Sequence, residues 1–150
     1  MSISPLCSLA HMSADLVGRW SFDYGYHSAM EDEELVLRAD GTGWCEWSRP
    51  ELSEFTVFTW EVTGPAAVRI TPTRAARAEF EAIEELDLPD PVDVEYAIVE
   101  ETRPLYPGME VLALRMPLPF AVFRAESYGL SRRETPEGDR QYISWLDDEL

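Results

Sequence analysis

Apolar and polar residues alternate along most of the chain. In residues 16–26, LVGRWSFDYGY, the even positions carry Leu16, Gly18, Trp20, Phe22, Tyr24 and Tyr26, and Arg19, Ser21 and Asp23 take odd ones. A period of two places successive side chains on opposite faces of an extended strand, one buried and one wet. The rhythm returns around Leu35, Leu37 and Ala39, and again in residues 43–48. There Trp44 and Glu46 share one face and Cys45 and Trp47 the other. In residues 55–63, Thr56, Phe58, Trp60 and Val62 oppose Val57, Thr59 and Glu61. Val68 and Ile70 mark a short strand that Pro72 should stop. Val92, Val94, Tyr96 and Ile98 face inward on the next strand, then Leu112, Leu114 and Met116, and residues 120–128 complete the set.

Turn chemistry separates these stretches. Asp40-Gly41 between two alternating segments predicts a hairpin, because Gly supplies positive φ. Gly64-Pro65 predicts another turn, and the acidic run at 31–34 reads as a solvated loop. The period changes once. Across residues 73–86, Ala76, Phe80, Ile83 and Leu86 fall at helical spacing, with Thr73 as N-cap and Pro89 and Pro91 beyond. This predicts one short helix between the fifth and sixth strands. Eight strands with tight connections favour an all-β, eight-stranded antiparallel up-and-down barrel over a sandwich, since closure removes exposed edges.

A chain of 150 residues suits one domain, set here at 15–150 after a tail over 1–14. Residues 131–140 read as a polar arm, and Tyr142, Ile143, Trp145 and Leu146 give the C-terminal stretch something to dock with. The formal charge of −17 comes from 29 acids against 12 bases, every one of them Arg. With no lysine, side-chain Schiff-base chemistry is excluded. Such an acidic chain is repelled by nucleic-acid phosphates and anionic membranes, so a basic protein, or a neutral or cationic ligand, is the easier partner. Residues 1–12 lack the basic and apolar regions of a secretory signal, and no apolar run reaches bilayer length. A cytoplasmic protein, monomeric or homodimeric, is expected.

Gly18-Arg19-Trp20 at the head of the first strand resembles the Gly-x-Trp signature of the lipocalin and calycin barrels. ELVLRADGTGWCEW and FTVFTWEVTG are similar in rhythm to small bacterial lipocalin-like domains. The resemblance spans about residues 15–130. It implies that Trp20 plugs the closed end of a barrel, Gly18 admits it, and an Arg from the last strand or just after it stacks on the indole. Arg124 matches that position, with Arg132 and Arg133 behind it. The helix before the sixth strand departs from the family pattern, and its second and third motifs are not evident.

Little in the sequence carries catalytic chemistry. Two histidines, His11 and His27, cannot build a three-His centre, and no Cys pair has zinc spacing, so neither metal nor cofactor is expected. Cys45, between two tryptophans, reads as a small buried hydrophobe. No nucleophile elbow or phosphate loop is present. Polar groups on inward parities are more telling: Tyr24, Glu46, Tyr96, Arg124 and Tyr128, with Phe58 and Trp60 as aromatic wall, form the expected cavity lining. An Arg124–Glu46 or Arg124–Glu126 ion pair that merely satisfies the core is the competing use of the same residues. Three functions compete: a barrel binding a small hydrophobic or aromatic molecule, a cyclase or isomerase of a hydrophobic intermediate in the same cavity, and an acidic protein-binding module of immunity or inhibitor type. A cavity of several hundred Å³ favours the first two. A solid core promotes the third.

Overall fold

The computed structural model describes residues 14–24, 31–80, 82–121 and 127–135. Ten strands form one antiparallel sheet: β1 (Gly18–Ser21), β2 (Asp32–Leu37), β3 (Thr42–Arg49), β4 (Leu52–Gly64), β5 (Ala67–Glu79), β6 (Ala82–Glu85), β7 (Val92–Glu95), β8 (Ala97–Thr102), β9 (Glu110–Arg115) and β10 (Tyr128–Arg132). The pairing path runs β6-β5-β4-β3-β2-β1-β10-β9-β8, and β7 pairs with β5. No β8–β5 ladder closes this path. What returns to β5 is β7, one residue ahead of β8 in the chain: Val68 faces Val94 and Ile70 faces Val92.

Among the described residues there is no helix, and the one expected over 73–86 is overturned. β5 continues to Glu79, and Ala82–Glu85 returns along it as β6. Helix propensities differ by only a fraction of a kcal/mol per residue, so tertiary pairing decides. Here the 13-residue β4 offers β5 a partner for its whole length. Arg74 then reaches Glu85 at 2.7 Å and Arg77 reaches Glu54 at 3.7 Å. Pro72 does not stop the strand either. The β4–β5 register shifts between Val57 and Phe58, which face Arg74 and Pro72, and the extra residue, Thr73, leaves the ladder. A bulge is where a strand tolerates a residue with no N–H. Thr73, expected as an N-cap, donates its hydroxyl to the Val57 carbonyl instead.

Other boundaries move. The strand expected at 92–99 is divided at Tyr96, whose N–H donates to the Ala66 carbonyl. The last strand is Tyr128–Arg132, not 120–128; Phe120 and Ala121 belong to a loop, and 122–126 lie outside the described residues. Ser131 and Arg132 are in strand, whereas 136–150, with the expected C-terminal dock, lie outside. The Asp40-Gly41 hairpin forms as expected: Gly41 has φ 86°, and the Arg38 N–H donates to the Thr42 carbonyl.

One apolar cluster gathers Trp20 from β1, Leu35 and Leu37 from β2, Cys45 from β3, Phe58 and Trp60 from β4, Val68 and Ile70 from β5, Val94 from β7, Leu114 from β9 and Tyr128 from β10. Nearly every strand therefore turns one face toward a common interior. A smaller cluster, Val36, Trp44, Phe55 and Ala76, occupies the other face, with the guanidinium groups of Arg38 and Arg74 over the Trp44 and Phe55 rings.

Gly18 and Gly43 are demanded by close approach. A Cβ at Gly18 would sit 2.8 Å from Leu130 Cδ1 and 2.9 Å from the Arg132 carbonyl oxygen. One at Gly43 would sit 2.3 Å from the Val36 carbonyl oxygen. Two residues beyond Gly18, Trp20 is fully buried and donates its indole N–H to the Leu16 carbonyl at 2.9 Å. Arg133, just past β10, lies over the ring at 5.7 Å and donates to the Asp15 and Val17 carbonyls. The second fallback takes the position expected of Arg124, which lies outside the described residues.

Candidate functional site

The acidic run is not a solvated loop. Asp32, Glu33 and Glu34 are strand residues, and each carboxylate has its own partner. Asp32 accepts the Ser21 hydroxyl and the Asp23 N–H. Glu34 accepts both its hydrogen bonds from Arg19 at 2.9 Å; burial raises its pKa and Arg19 opposes the rise. Glu33 shares the parity of Leu35 and Leu37, which turns it inward. It is 0% exposed and accepts a hydrogen bond from the Tyr128 phenol at 3.1 Å.

Register then builds a site around Glu33. In one row Glu33 faces Trp47 across β2–β3, and Trp47 faces Glu54 across β3–β4. Two residues along on the same face, Cys45 faces Thr56 and Thr56 faces Ala75. The loop after β6 brings Leu86, Asp87 and Pro89, and the loop after β9 brings Phe120 and Ala121. Together they enclose a cup of about 110 Å³. Phe120 packs on Phe58 with ring centroids 6.3 Å apart, which forms the floor. Phe58, Trp60, Met116 and Leu118 are buried together in the main cluster.

Among the described residues three carboxylates line the cup, Glu33, Glu54 and Asp87, and the Arg77 guanidinium lies 3.7 Å from Glu54. Burial, with the neighbouring Cys45 and Glu33, drives the Tyr128 pKa far above the ordinary phenol value, so its O–H remains a donor. Burial, with Glu33 and Glu46, likewise pushes the Cys45 thiol well up. A thiol held protonated is no nucleophile. In a Cys7→Ser chain, Ellman's reagent at pH 8 should therefore label Cys45 about a hundredfold more slowly than in denaturant, because labelling waits for the fold to open. Complete labelling of the folded chain within minutes would contradict this placement.

Comparison with protein-family models, with curated proteins and with solved structures found no match. The site is therefore assigned from its own chemistry.

Of the residues singled out in the sequence, the structure brings Phe58, Trp60 and Tyr128 into the main cluster, with Tyr96 packed against it. Glu46 lies on the opposite face with Trp44 and accepts the Ser53 hydroxyl at 2.8 Å. The inward parity of β3 belongs to Cys45 and Trp47. Tyr24 also lies away from the interior, its ring packed at a tilt on Tyr106 with centroids 5.6 Å apart. Arg124, Glu126 and His27 fall outside the described residues. Glu33 was the residue to find, and extending the Leu35–Leu37 alternation two positions back reaches it. Among the described residues no group of His, Cys, Asp and Glu could hold a metal ion, and no helix is long and apolar enough to cross a membrane.

Proposed function

We propose that this chain is a lipocalin-like barrel that binds a small cationic molecule at its open end. Residues 92–102 support closure: the first part pairs with β5 as β7 and the last part with β9 as β8, so one continuous stretch touches both flanks of the sheet. The buried Trp20 with Arg133 above it supports the lipocalin likeness. The cup carries the functional reading. Aromatic and apolar walls with a few directed polar groups are the usual composition of a ligand site. Its carboxylates, Glu33, Glu54 and Asp87, suit an ammonium or another strong donor.

Size limits the occupant. Ligand pockets for drug-sized molecules run to about 300–1,000 Å³, and this cup holds about 110 Å³. A small alkylammonium, or the amino end of a longer molecule, fits this cup.

Thermal unfolding with methyl- and ethylammonium, each set against its neutral alcohol, tests this. Ligand at a hundred times its Kd adds about 2.7 kcal/mol, which at about 2–4 °C per kcal/mol raises Tm by about 5–10 °C. The amines should give that rise, the alcohols should not, and Trp47→Ala should abolish it. Equal responses to amine and alcohol, or none at tens of millimolar amine, would overturn the proposal.

A further inference from the structure

A second feature stands on the outer surface, independent of the cup. Residues 103–109, RPLYPGM, join β8 to β9 through two successive turns, in which the Tyr106 N–H donates to the Arg103 carbonyl and the Met109 N–H to the Tyr106 carbonyl. Gly108 has φ 79°, and Pro104 and Pro107 restrict the rest. The base is fixed by a buried cation. Arg103 is 2% exposed and donates to the Phe22 and Tyr24 carbonyls, to Glu101 Oε1 and to Ser127 Oγ. On this anchored loop Leu105, Tyr106 and Met109 are 40%, 36% and 64% exposed. A groove of about 160 Å³ opens beside them toward Tyr24 and Leu130.

Three apolar side chains held in water by a pre-ordered loop are unusual for a surface that serves only solubility. Tyr and Met are enriched where proteins meet, and pre-ordering removes much of the entropy cost of association. The rim decides the kind of partner. Across β8–β9 Glu110 faces Thr102 and Glu100 faces Leu112, so the two glutamates are diagonal neighbours on one face beside Met109, both exposed, and Glu100 raises the Glu110 pKa. A second copy would bring a further charge of −17 and the same acidic rim. A cationic side chain would relieve the crowding. We propose that the β8–β9 loop docks a basic protein, which seats an apolar side chain in the groove between Tyr106 and Leu130 and sets arginine or lysine against Glu100 and Glu110.

Site-specific cross-linking in the full chain tests this. p-Benzoylphenylalanine replaces Met109 in one variant and exposed Thr73 in a control, both expressed in the native cell. The expected result is one adduct at 109, absent at 73, with a basic protein. The purified pair should bind at least tenfold more weakly after Tyr106→Ser and after Glu100→Gln with Glu110→Gln. Its affinity should fall as salt rises from 0.05 to 0.3 M. Trp47→Ala should leave this affinity unchanged, which separates the docking surface from the cup. An adduct with a second copy, an adduct equal at both positions, no adduct, or a partner indifferent to Tyr106→Ser would each overturn the proposal.

Discussion

Trp20→Ala should lower the unfolding free energy by about 4 kcal/mol, within the 3–5 kcal/mol range for large aromatic truncations in cores. The indole is fully buried in the cluster to which nearly every strand contributes, so its loss leaves a cavity that no single neighbour can refill. Two further losses add to the cavity. The Leu16 carbonyl loses its donor, and Arg133 loses the ring beneath it, a contact of about 0.5–1 kcal/mol at an exposed position. Domains of this kind are stable by only about 5–15 kcal/mol in total, so a large part of that margin goes. Urea unfolding followed by fluorescence measures the change as a shift in midpoint at constant slope. Trp20→Phe keeps most of the volume and should cost less than half as much. A loss under about 1.5 kcal/mol for alanine would mean that Trp20 is not central to the packing.

Arg103→Ala is the other large effect, at about 3 kcal/mol, because breaking a buried ion pair strands the groups left behind. Two carbonyls, a carboxylate and a hydroxyl lose the Arg103 donor together, and Glu101 keeps Arg115 and Ser127. The loss should depend on pH. Burial raises the Glu101 pKa, but Arg115, Arg103 and Ser127 outweigh it and hold the carboxyl below its ordinary value. A group whose folded pKa is depressed stabilises the fold above its unfolded value, near 4.3, and that contribution disappears as pH falls through the folded pKa. The difference between wild type and Arg103→Ala should therefore be largest at neutral pH and narrow below about pH 4. Urea titrations at pH 7, 5 and 3.5 check it. Arg103→Lys keeps the charge but cannot span all four acceptors, and should recover only part of the loss. A pH-independent difference would remove Glu101 from the account.

Much of the fold was legible because a half-buried strand leaves a period-two imprint. Leu35, Leu37, Phe58, Trp60 and Leu114 fall in the interior as their spacing predicts. Misreadings arose where two signals conflicted. In residues 73–86 local helix propensity was strong, and the ladder that overrode it depends on β4, a partner distant in sequence for all but its last residues. On β3 both faces carry a tryptophan, so hydrophobicity could not say which face was inside, and the choice of Glu46 over Cys45 and Trp47 followed from that tie. Glu33 was obscured by its acidic neighbours, since a run of like charges usually marks a solvated segment. Arg103 had no sequence signal at all. Its burial rests on Phe22 and Tyr24, about eighty positions upstream.

β1 has its two sheet neighbours at opposite ends of the sequence: Trp20 pairs with Leu35 on one flank and with Leu130 on the other. During synthesis the near flank can zip at once, while the far flank stays bare until more than a hundred further residues have been made. Through that interval the rim of β1 is an open template for stray strands. Completion therefore waits for the last strand, slow in the manner of proteins whose contacts are distant in sequence, and until then the chain relies on its heavy negative charge to keep neighbours away.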